Sequence, residues 1–184
     1  MLQIRSERQG DATGIRGVHL AAFETRAEAD LVDAIRGSRH YQPRFSIVAE
    51  TGDGIVGHAL LSHAELVDRA HARPVLVLAP LAVVPRHQDR GAGTALMHEC
   101  IGRADHAGEP LILLVGHPGY YPRFGFVPAS RYGITPPEPL PDAVFMARRL
   151  AGYDPTWRGR LVYPPAFDLV MPDLERPPAP APVS

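Results

Sequence analysis

Hydrophobic and polar positions in the first third of the chain follow two periods. Ile15, Val18 and Ala22 recur at helical spacing, and Asp11 precedes them as a candidate N-cap. Other stretches alternate between apolar and polar residues or form short apolar runs, as strands do. The pattern predicts, in order, a strand at residues 2–5, the helix after Asp11, a helix at 27–36, and strands at 45–50 and 55–62 joined by a tight turn at 51–54.

A nearly unbroken apolar run at residues 75–84 predicts a strand that is covered on both faces. Pro80 interrupts this run. Because proline cannot donate a hydrogen bond to a neighbouring strand, we expect the strand to bulge or to part from a neighbour near this residue. An amphipathic helix that opens near Gly91 and ends at 107–108 follows, and the apolar run at 111–115 predicts another strand.

The last third of the chain has weaker patterns. Residues 144–150 and 160–163 predict closing strands, and residues 135–142, with their four prolines, predict a rigid surface loop. The final thirteen residues contain five prolines and little apolar surface, which predicts an extended or disordered segment. We therefore predict one domain at residues 1–171 and a proline-rich tail at residues 172–184.

Composition and charge narrow the range of functions. The 19 basic and 20 acidic side chains nearly balance, so no overall field favours nucleic acid or an anionic membrane. A single cysteine, Cys100, leaves no disulfide within the chain, and we expect it to be buried. The nine histidines lack metal-ligand spacing, so no metal site is predicted. Because no apolar segment is long enough for a signal peptide or a membrane span, we expect a cytoplasmic protein.

The segment 88–94, Gln-Asp-Arg-Gly-Ala-Gly-Thr, joins the long apolar strand to the helix that follows it. The first amides of a helix have no intrahelical partner and carry partial positive charge, so they bind phosphate groups. Gly91 and Gly93 carry no Cβ and allow a close approach, while Arg86 and Arg90 flank the turn. The segment lacks the lysine of a P-loop and the third glycine of a dinucleotide fingerprint.

This turn, Gln-x-x-Gly-x-Gly after an apolar strand, resembles the coenzyme A pyrophosphate loop of the GCN5-related N-acetyltransferase (GNAT) superfamily. A second segment, 116–126, has Tyr121, Gly125 and Phe126 at the positions of that superfamily's Tyr-x-x-x-Gly-Phe motif. Its spelling, Tyr-Tyr-Pro-Arg-Phe-Gly-Phe, together with Leu-Ala-Pro-Leu-Ala-Val at 78–83, is similar to the YhbS-like subgroup. The resemblance extends over nearly the whole predicted domain.

The resemblance implies a fold and a reaction. The fold is a single α/β domain whose mixed, bent central sheet of about six to seven strands is flanked by about four helices and splays between strands 4 and 5. The reaction is direct transfer of an acetyl group from acetyl-CoA to a primary amine of a small molecule or peptide, without a metal. A homodimer is also expected. The alternatives are an acyl-CoA-binding regulatory or sensor module with little turnover, and an enzyme that places another phosphate-bearing ligand in the same turn.

The resemblance also implies roles for individual residues. We expect the main chain of Leu81, Ala82 and Val83 to pair with the pantetheine arm, and one amide to polarise the thioester carbonyl. Tyr121 is the predicted general acid for the departing thiolate, whereas Tyr120 is expected in the core. The residues predicted to hold the pyrophosphate are Gln88, Asp89, Arg90, Gly91, Ala92, Gly93 and Thr94.

The base that takes the proton from the amine stays open between several residues and a water chain. Histidine titrates near neutrality, whereas a carboxylate needs burial or a bridging water. His117 is close in sequence to Tyr121, and Glu24 lies in a connection that borders the acceptor site in the resembled family. The candidate bases are Glu24, Glu28, His58, His63 and His117, with His58 more typical of a satisfied core histidine. Acceptor-selecting loops are expected at residues 23–28, 66–73 and 136–142.

Overall fold

The computed structural model describes residues 1–69 and 71–171, so the predicted tail at 172–184 lies outside the described residues. The described part contains three α-helices and nine β-strands. The helices are α1 (Ala12–Ala22), α2 (Ala27–Arg36) and α3 (Ala92–His106). The strands are β1 (Gln3–Ser6), β2 (Ser46–Thr51), β3 (Gly54–Asp68), β4 (His71–Val83), β5 (Leu111–Val115), β6 (Val127–Pro128), β7 (Ile134–Thr135), β8 (Phe145–Arg149) and β9 (Gly159–Val162).

The strands form one mixed sheet in the order β1-β2-β3-β4-β5-β8-β6, and β9 pairs with both β3 and β7. Only the β4–β5 and β7–β9 pairs are parallel among the described strands. The predicted α/β fold with a mixed sheet is confirmed. The sheet has more strands than expected because two of them, β6 and β7, are only two residues long. The described residues contain three α-helices where about four helices were expected, together with several short 3-10 helices.

Side-chain alternation in the sheet divides the interior into two apolar layers. On one face, Val48 of β2 packs with Ile15 of α1 and Leu31 of α2. On the other face, Ile47 of β2 packs with Leu96 of α3. Helices α1 and α2 therefore cover one side of the sheet and α3 covers the other.

Two local predictions were wrong. The segment 66–73 is not an open loop, because β3 continues to Asp68 and β4 begins at His71. Residues 65–67 of β3 pair with β4 on one edge and with β9 on the other. Asp11 does precede α1, but its carboxylate does not cap the helix: it accepts from Arg5 at 2.6 Å and from the Arg8 amide at 2.7 Å. The segment 136–142 is a loop between β7 and β8, as predicted.

Candidate active site

The main opening in the sheet lies between β4 and β5. These strands pair only at Leu76–Ile112 and Val77–Leu113, after which they separate. The pairing of β4 with β3 also shifts register where two residues, Ala79 and Pro80, intervene. The predicted irregularity at Pro80 and the predicted splay between strands 4 and 5 are confirmed. Beyond the splay, one edge of β4 has no strand beside it.

The free edge of β4 presents main-chain groups to this opening. The Val84 amide donates to the Val56 carbonyl at 2.9 Å, and hydrogen-bonded pairs in an antiparallel ladder recur every second residue. His58 and Ala82 form the next such pair, so the main-chain groups of Leu81 and Val83 point away from β3. The Val83 carbonyl accepts a hydrogen bond from the Gln88 side chain at 3.0 Å, which is consistent with this direction.

The glycine turn closes one end of the opening. Gly91 is the N-cap of α3 and has φ +89°, a left-handed conformation that favours glycine. The first amides of α3 therefore begin immediately at the turn. A cavity of about 480 Å³ lies here. It is lined by Leu81, Val83, Gln88, Asp89, Gly91, Gly93, Thr94, Tyr120 and Arg123.

Three of the predicted cofactor residues do not line this cavity. Ala92 is buried in the core beneath α3, and Ala82 is buried with its main chain directed to β3. Arg90 is exposed at the turn. Ala92 and Ala82 therefore contribute packing beneath the cavity wall.

Tyr120 and Arg123 line the cavity, although the sequence did not mark them as site residues. Tyr120 is half-buried and not part of the core interior as expected, and burial raises the pKa of its phenol. A Cβ on Gly93 would lie 2.9 Å from its hydroxyl oxygen. The Arg123 guanidinium lies 4.8 Å from the centre of the Tyr120 ring, and its Nε donates to the Tyr120 carbonyl at 3.0 Å. Arg123 thus brings positive charge to the cavity.

Tyr121 is half-buried beside the cavity-lining Tyr120 and does not itself line the cavity. Its ring makes edge contacts with Tyr120 and Phe126 at centroid distances of 5.1 and 6.0 Å. The ring also packs so closely on Gly116 that a Cβ there would collide with it. Burial raises the pKa of Tyr121 to about 12, so its hydroxyl carries a proton throughout the physiological range.

The five candidate bases lie at separate places, and none of them lines the cavity. Glu24 is exposed after α1, and Glu28 lies within 3.4 Å of the Thr25 hydroxyl. His117 is exposed, and its Nδ1 accepts from the Gly119 amide at 3.1 Å, so it supports the turn before Tyr121. His63 is bound between Gln42 and Glu109 at 2.9 Å each. The fold therefore does not bring together the five candidate general bases that were predicted from the sequence.

His58 is fully buried, as expected of a core histidine, but it belongs to a larger polar chain that the sequence did not reveal. Its Nδ1 is 2.8 Å from Nε2 of His19, and its Nε2 is 2.9 Å from Oγ of Ser46. Burial lowers the pKa of both imidazoles, that of His19 to about 4. Both rings are therefore neutral at pH 7.

Residues 1–69 and 71–171 contain neither a candidate metal site nor a candidate membrane-spanning helix. No group of three or more metal-ligating side chains is assembled there. No described helix has the length and apolar character needed to cross a membrane.

Comparison with known proteins identifies the fold. The model of the acetyltransferase (GNAT) family matches residues 12–126. The uncharacterized N-acetyltransferase YjhQ of Escherichia coli is 33% identical over 157 residues, which cover 83% of this chain and 87% of YjhQ. The uncharacterized N-acetyltransferase YhbS of the same species is 28% identical over 149 residues, which cover 80% of this chain and 87% of YhbS.

Two solved structures are similar over almost their whole length. The structure of E. coli YhbS in complex with CoA has a TM-score of 0.82 at 27% identity and covers 91% of this chain and 92% of its own. A GNAT family acetyltransferase from Brucella melitensis in complex with acetyl-CoA has a TM-score of 0.74 at 29% identity and covers 91% and 99%. The resemblance inferred from the glycine turn and the tyrosine motif is confirmed, and the chain belongs to the acetyltransferase (GNAT) family of N-acetyltransferases.

Proposed function

We propose that this protein binds acetyl-CoA in the opening between β4 and β5 and transfers the acetyl group directly to a primary amine of a small molecule or peptide. The observation that carries the proposal is the convergence of two main-chain devices on one cavity. The free edge of β4 at Leu81 and Val83 and the N-terminus of α3 at Gly91 and Gly93 both face it. An extended amide-bearing arm that ends in a pyrophosphate is complementary to this pair.

The pyrophosphate is proposed to bind at the glycine turn. The first amides of α3 supply hydrogen-bond donors and the positive end of the helix dipole. Arg123, which lines the same cavity and lies over the Tyr120 ring, adds a cation. Gln88, Asp89 and Thr94 line the same cavity, whereas Arg90 is proposed to act only as a neighbouring surface charge.

The pantetheine arm is proposed to lie along β4 as an added strand. The Val83 carbonyl accepts a hydrogen bond from the Gln88 side chain. A pantetheine amide that donates to this carbonyl would replace that contact, and Gln88 would turn toward the phosphates. An outward-facing amide of β4, at Leu81 or Val83, is then available to stabilise the oxyanion that forms on the thioester carbonyl.

Chemistry at the thioester requires one proton to leave the amine and one to reach the sulfur. As the C–N bond forms and the C–S bond breaks, we assign Tyr121 to deliver the proton to the departing thiolate. Its high pKa keeps the hydroxyl protonated before the reaction. Glu24 and His117 stay candidate bases from the sequence alone, and a cytoplasmic location and a homodimer likewise stay predictions.

Isothermal titration of acetyl-CoA into the wild type and two alanine variants of α3 tests the proposed cavity. Gly93→Ala adds a methyl group 2.9 Å from the Tyr120 hydroxyl, inside the cavity, whereas a Cβ at Gly102 of the same helix meets nothing within 4 Å. We expect micromolar binding by wild type and Gly102→Ala, and at least tenfold weaker binding by Gly93→Ala. Equal binding by both variants, or none by wild type, would contradict the proposal.

An amine panel then tests turnover. Thiol release from acetyl-CoA that depends on an added primary amine supports transfer. Binding without amine-dependent thiol release by any member of the panel would favour the regulatory or sensor module instead.

A further inference from the structure

A continuous chain of hydrogen bonds runs through the interior on the α1 side of the sheet. It links His19 of α1 to His58 of β3 (2.8 Å), His58 to Ser46 of β2 (2.9 Å), and the Ser46 hydroxyl to the Glu7 carboxylate. His19, His58 and Ser46 are 0% exposed, and the Glu7 side chain is 7% exposed. Four polar groups from four segments therefore share one buried line.

The partners of Glu7 fix the direction in which each proton points. Arg36 donates to Glu7 Oε1 at 2.7 Å and Tyr41 donates to Oε2 at 3.2 Å, so the carboxylate is an ionised acceptor. The Ser46 hydroxyl also donates to it, and Ser46 Oγ must then accept from Nε2–H of His58.

The same logic continues to the far end of the chain. Neutral His58 has its proton on Nε2, so its Nδ1 is a lone pair that accepts from Nε2–H of His19. Neutral His19 is left with an unprotonated Nδ1. That nitrogen is buried and has no hydrogen-bond partner in the structure. A buried acceptor without a donor is costly, and it marks the point where a proton donor is missing.

At His58 the chain passes beside the segment of β4 that lines the proposed active site. His58 is in register with Ala82, the residue between the cavity-lining Leu81 and Val83. The only aromatic side chain stacked on the His19 ring within the described residues is Phe23, at a centroid distance of 6.0 Å. Phe23 is half-buried and follows α1 directly.

We propose that His19, His58, Ser46 and Glu7 form a proton relay that takes up the proton released by the attacking amine. This inference rests on the proposed acetyl transfer. The amine, or a water molecule that it protonates, gives a proton to Nδ1 of His19 as the C–N bond forms. His19 passes its Nε2 proton to Nδ1 of His58, His58 passes its Nε2 proton to Ser46, and Ser46 passes its hydroxyl proton to Glu7.

The count of protons in this step explains how two weakly basic imidazoles can take part. Each imidazole gains one proton and loses one, so neither holds a charge afterwards, and the added proton resides on the Glu7 carboxyl. The proton returns along the same path when product leaves, which restores the starting tautomers. The burial that disfavours an imidazolium therefore does not oppose the relay.

The surroundings of the rings support a neutral chain. Arg36 lowers the pKa of both histidines, and Asp33 partly offsets it at His19. The residues in register with His58 on β2 and β4 are Val48 and Ala82, which are both apolar. With Glu7 and Tyr41 at the far end, Arg36 and Asp33 are the charged or titratable groups that face the chain.

Histidine tautomers provide a test that needs no acceptor amine. Long-range ¹H–¹⁵N correlation spectra of ¹⁵N-histidine-labelled protein at pH 7, assigned with His19→Gln, report which ring nitrogens carry protons. We expect protonated Nε2 and unprotonated Nδ1 on both His19 and His58. A protonated Nδ1 on either ring would overturn the relay.

Kinetics of Ser46→Ala and a matched control test the relay in turnover. Ser62 is also a buried serine of the sheet, and its hydroxyl has no partner, so Ser62→Ala controls for loss of a buried hydroxyl. The probe is acetyl-CoA with the panel amine that gives the fastest thiol release by wild type. At pH 7 we expect Ser46→Ala to lower kcat at least tenfold with unchanged KM for acetyl-CoA, and Ser62→Ala to match wild type.

The pH profile separates a relay from a structural role. With the relay broken, proton removal depends on hydroxide, so log kcat of Ser46→Ala should rise with pH between 6 and 8 while that of wild type stays flat. Equal kcat and equal profiles for the two alanine variants would refute the relay and leave acetyl transfer standing. A wild type that binds acetyl-CoA but acetylates no amine would refute the proposed function, and the relay with it.

Discussion

Acidification from pH 7 to pH 4.5 should weaken the folded state through His19. Burial and, to a smaller extent, the Arg36 guanidinium lower the pKa of this imidazole from 6.5 to about 4, and Asp33 partly opposes them. The unfolded chain therefore binds one more proton than the folded chain between these two values. The free energy of unfolding consequently rises with pH across this window, and the stability is lost as the pH falls below 6.5.

The size of the effect follows from the two pKa values. With a pKa of 6.5 in the unfolded state and about 4 in the folded state, His19 alone makes the protein about 2 kcal/mol less stable at pH 4.5 than at pH 7. Burial lowers the pKa of His58 as well, so the total loss should be larger. The carboxylates of Asp11 and Glu50 have lowered pKa values, and their contributions are lost mainly at lower pH.

Urea unfolding followed by circular dichroism at pH 7, 6, 5 and 4.5 measures this dependence. His19→Gln is the matched variant, because a glutamine amide can donate to His58 as Nε2–H does but does not titrate. We expect its free energy of unfolding to change with pH by about 1 kcal/mol per unit less than that of wild type in the steepest part of the window. Parallel curves for the two proteins would refute a neutral, buried His19.

Two further predictions concern the proposed acid and the packing of α1. Tyr121→Phe should lower kcat about 10²-fold and leave the KM for acetyl-CoA unchanged, because the ring still packs on Gly116. Steady-state kinetics measure both constants, and a kcat equal to that of wild type would exclude the hydroxyl from the mechanism. Arg5→Met should lower the free energy of unfolding, measured in urea, by about 2 kcal/mol because it removes the ion-pair partner of Asp11 and Glu50. Arg26→Met should leave it unchanged, because the Arg26 side chain is 72% exposed in its ion pair with Asp30. Equal effects of the two substitutions would contradict this reasoning.

Local periodicity was sufficient to predict the main elements and the splay. Strand β5 and helix α3 were recognisable because their apolar positions and flanking glycines lie close together in sequence. Pro80 indicated the irregularity of β4 for an equally local reason, the missing amide. The continuation of β3 to Asp68 was missed because it lies beyond the predicted apolar stretch and is formed by pairing with β4 and with β9, which is about a hundred residues further along the chain.

The candidate site was only partly predictable for a related reason. Tyr120 and Tyr121 are neighbours in sequence, and which ring reaches the cavity is decided where a short 3-10 helix begins at Tyr121. The hydrophobic pattern of the sequence does not indicate which of the two tyrosines faces the cavity. Arg123 lines the cavity beside Tyr120, but in the sequence it was only a charged residue within the motif. Asp11 likewise has the sequence position of a helix N-cap, but in the structure its carboxylate accepts from Arg5, six residues away.

The buried polar chain shows why pair distances along a sequence do not reveal a proton path. Glu7 and Ser46 are 39 residues apart, and so are His19 and His58. They meet because β2 pairs with β3, and α1 lies across the same face. The sequence indicated only that His58 is typical of a core histidine, and only the fold joins it to His19, Ser46 and Glu7.

Alternation along β4 allows one strand to serve both proposed functions. Leu81 and Val83 line the cavity, while Ala82, between them, lies in register with His58 on β3. Ala82 itself is small and buried. The free edge of the strand can therefore bind the cofactor while its interior face bounds the polar chain. Because Ala82 pairs with His58, the amides proposed to bind the oxyanion and the ring proposed to relay the proton lie on paired strands, so a shift of β4 at Ala82 should disturb both proposed roles together.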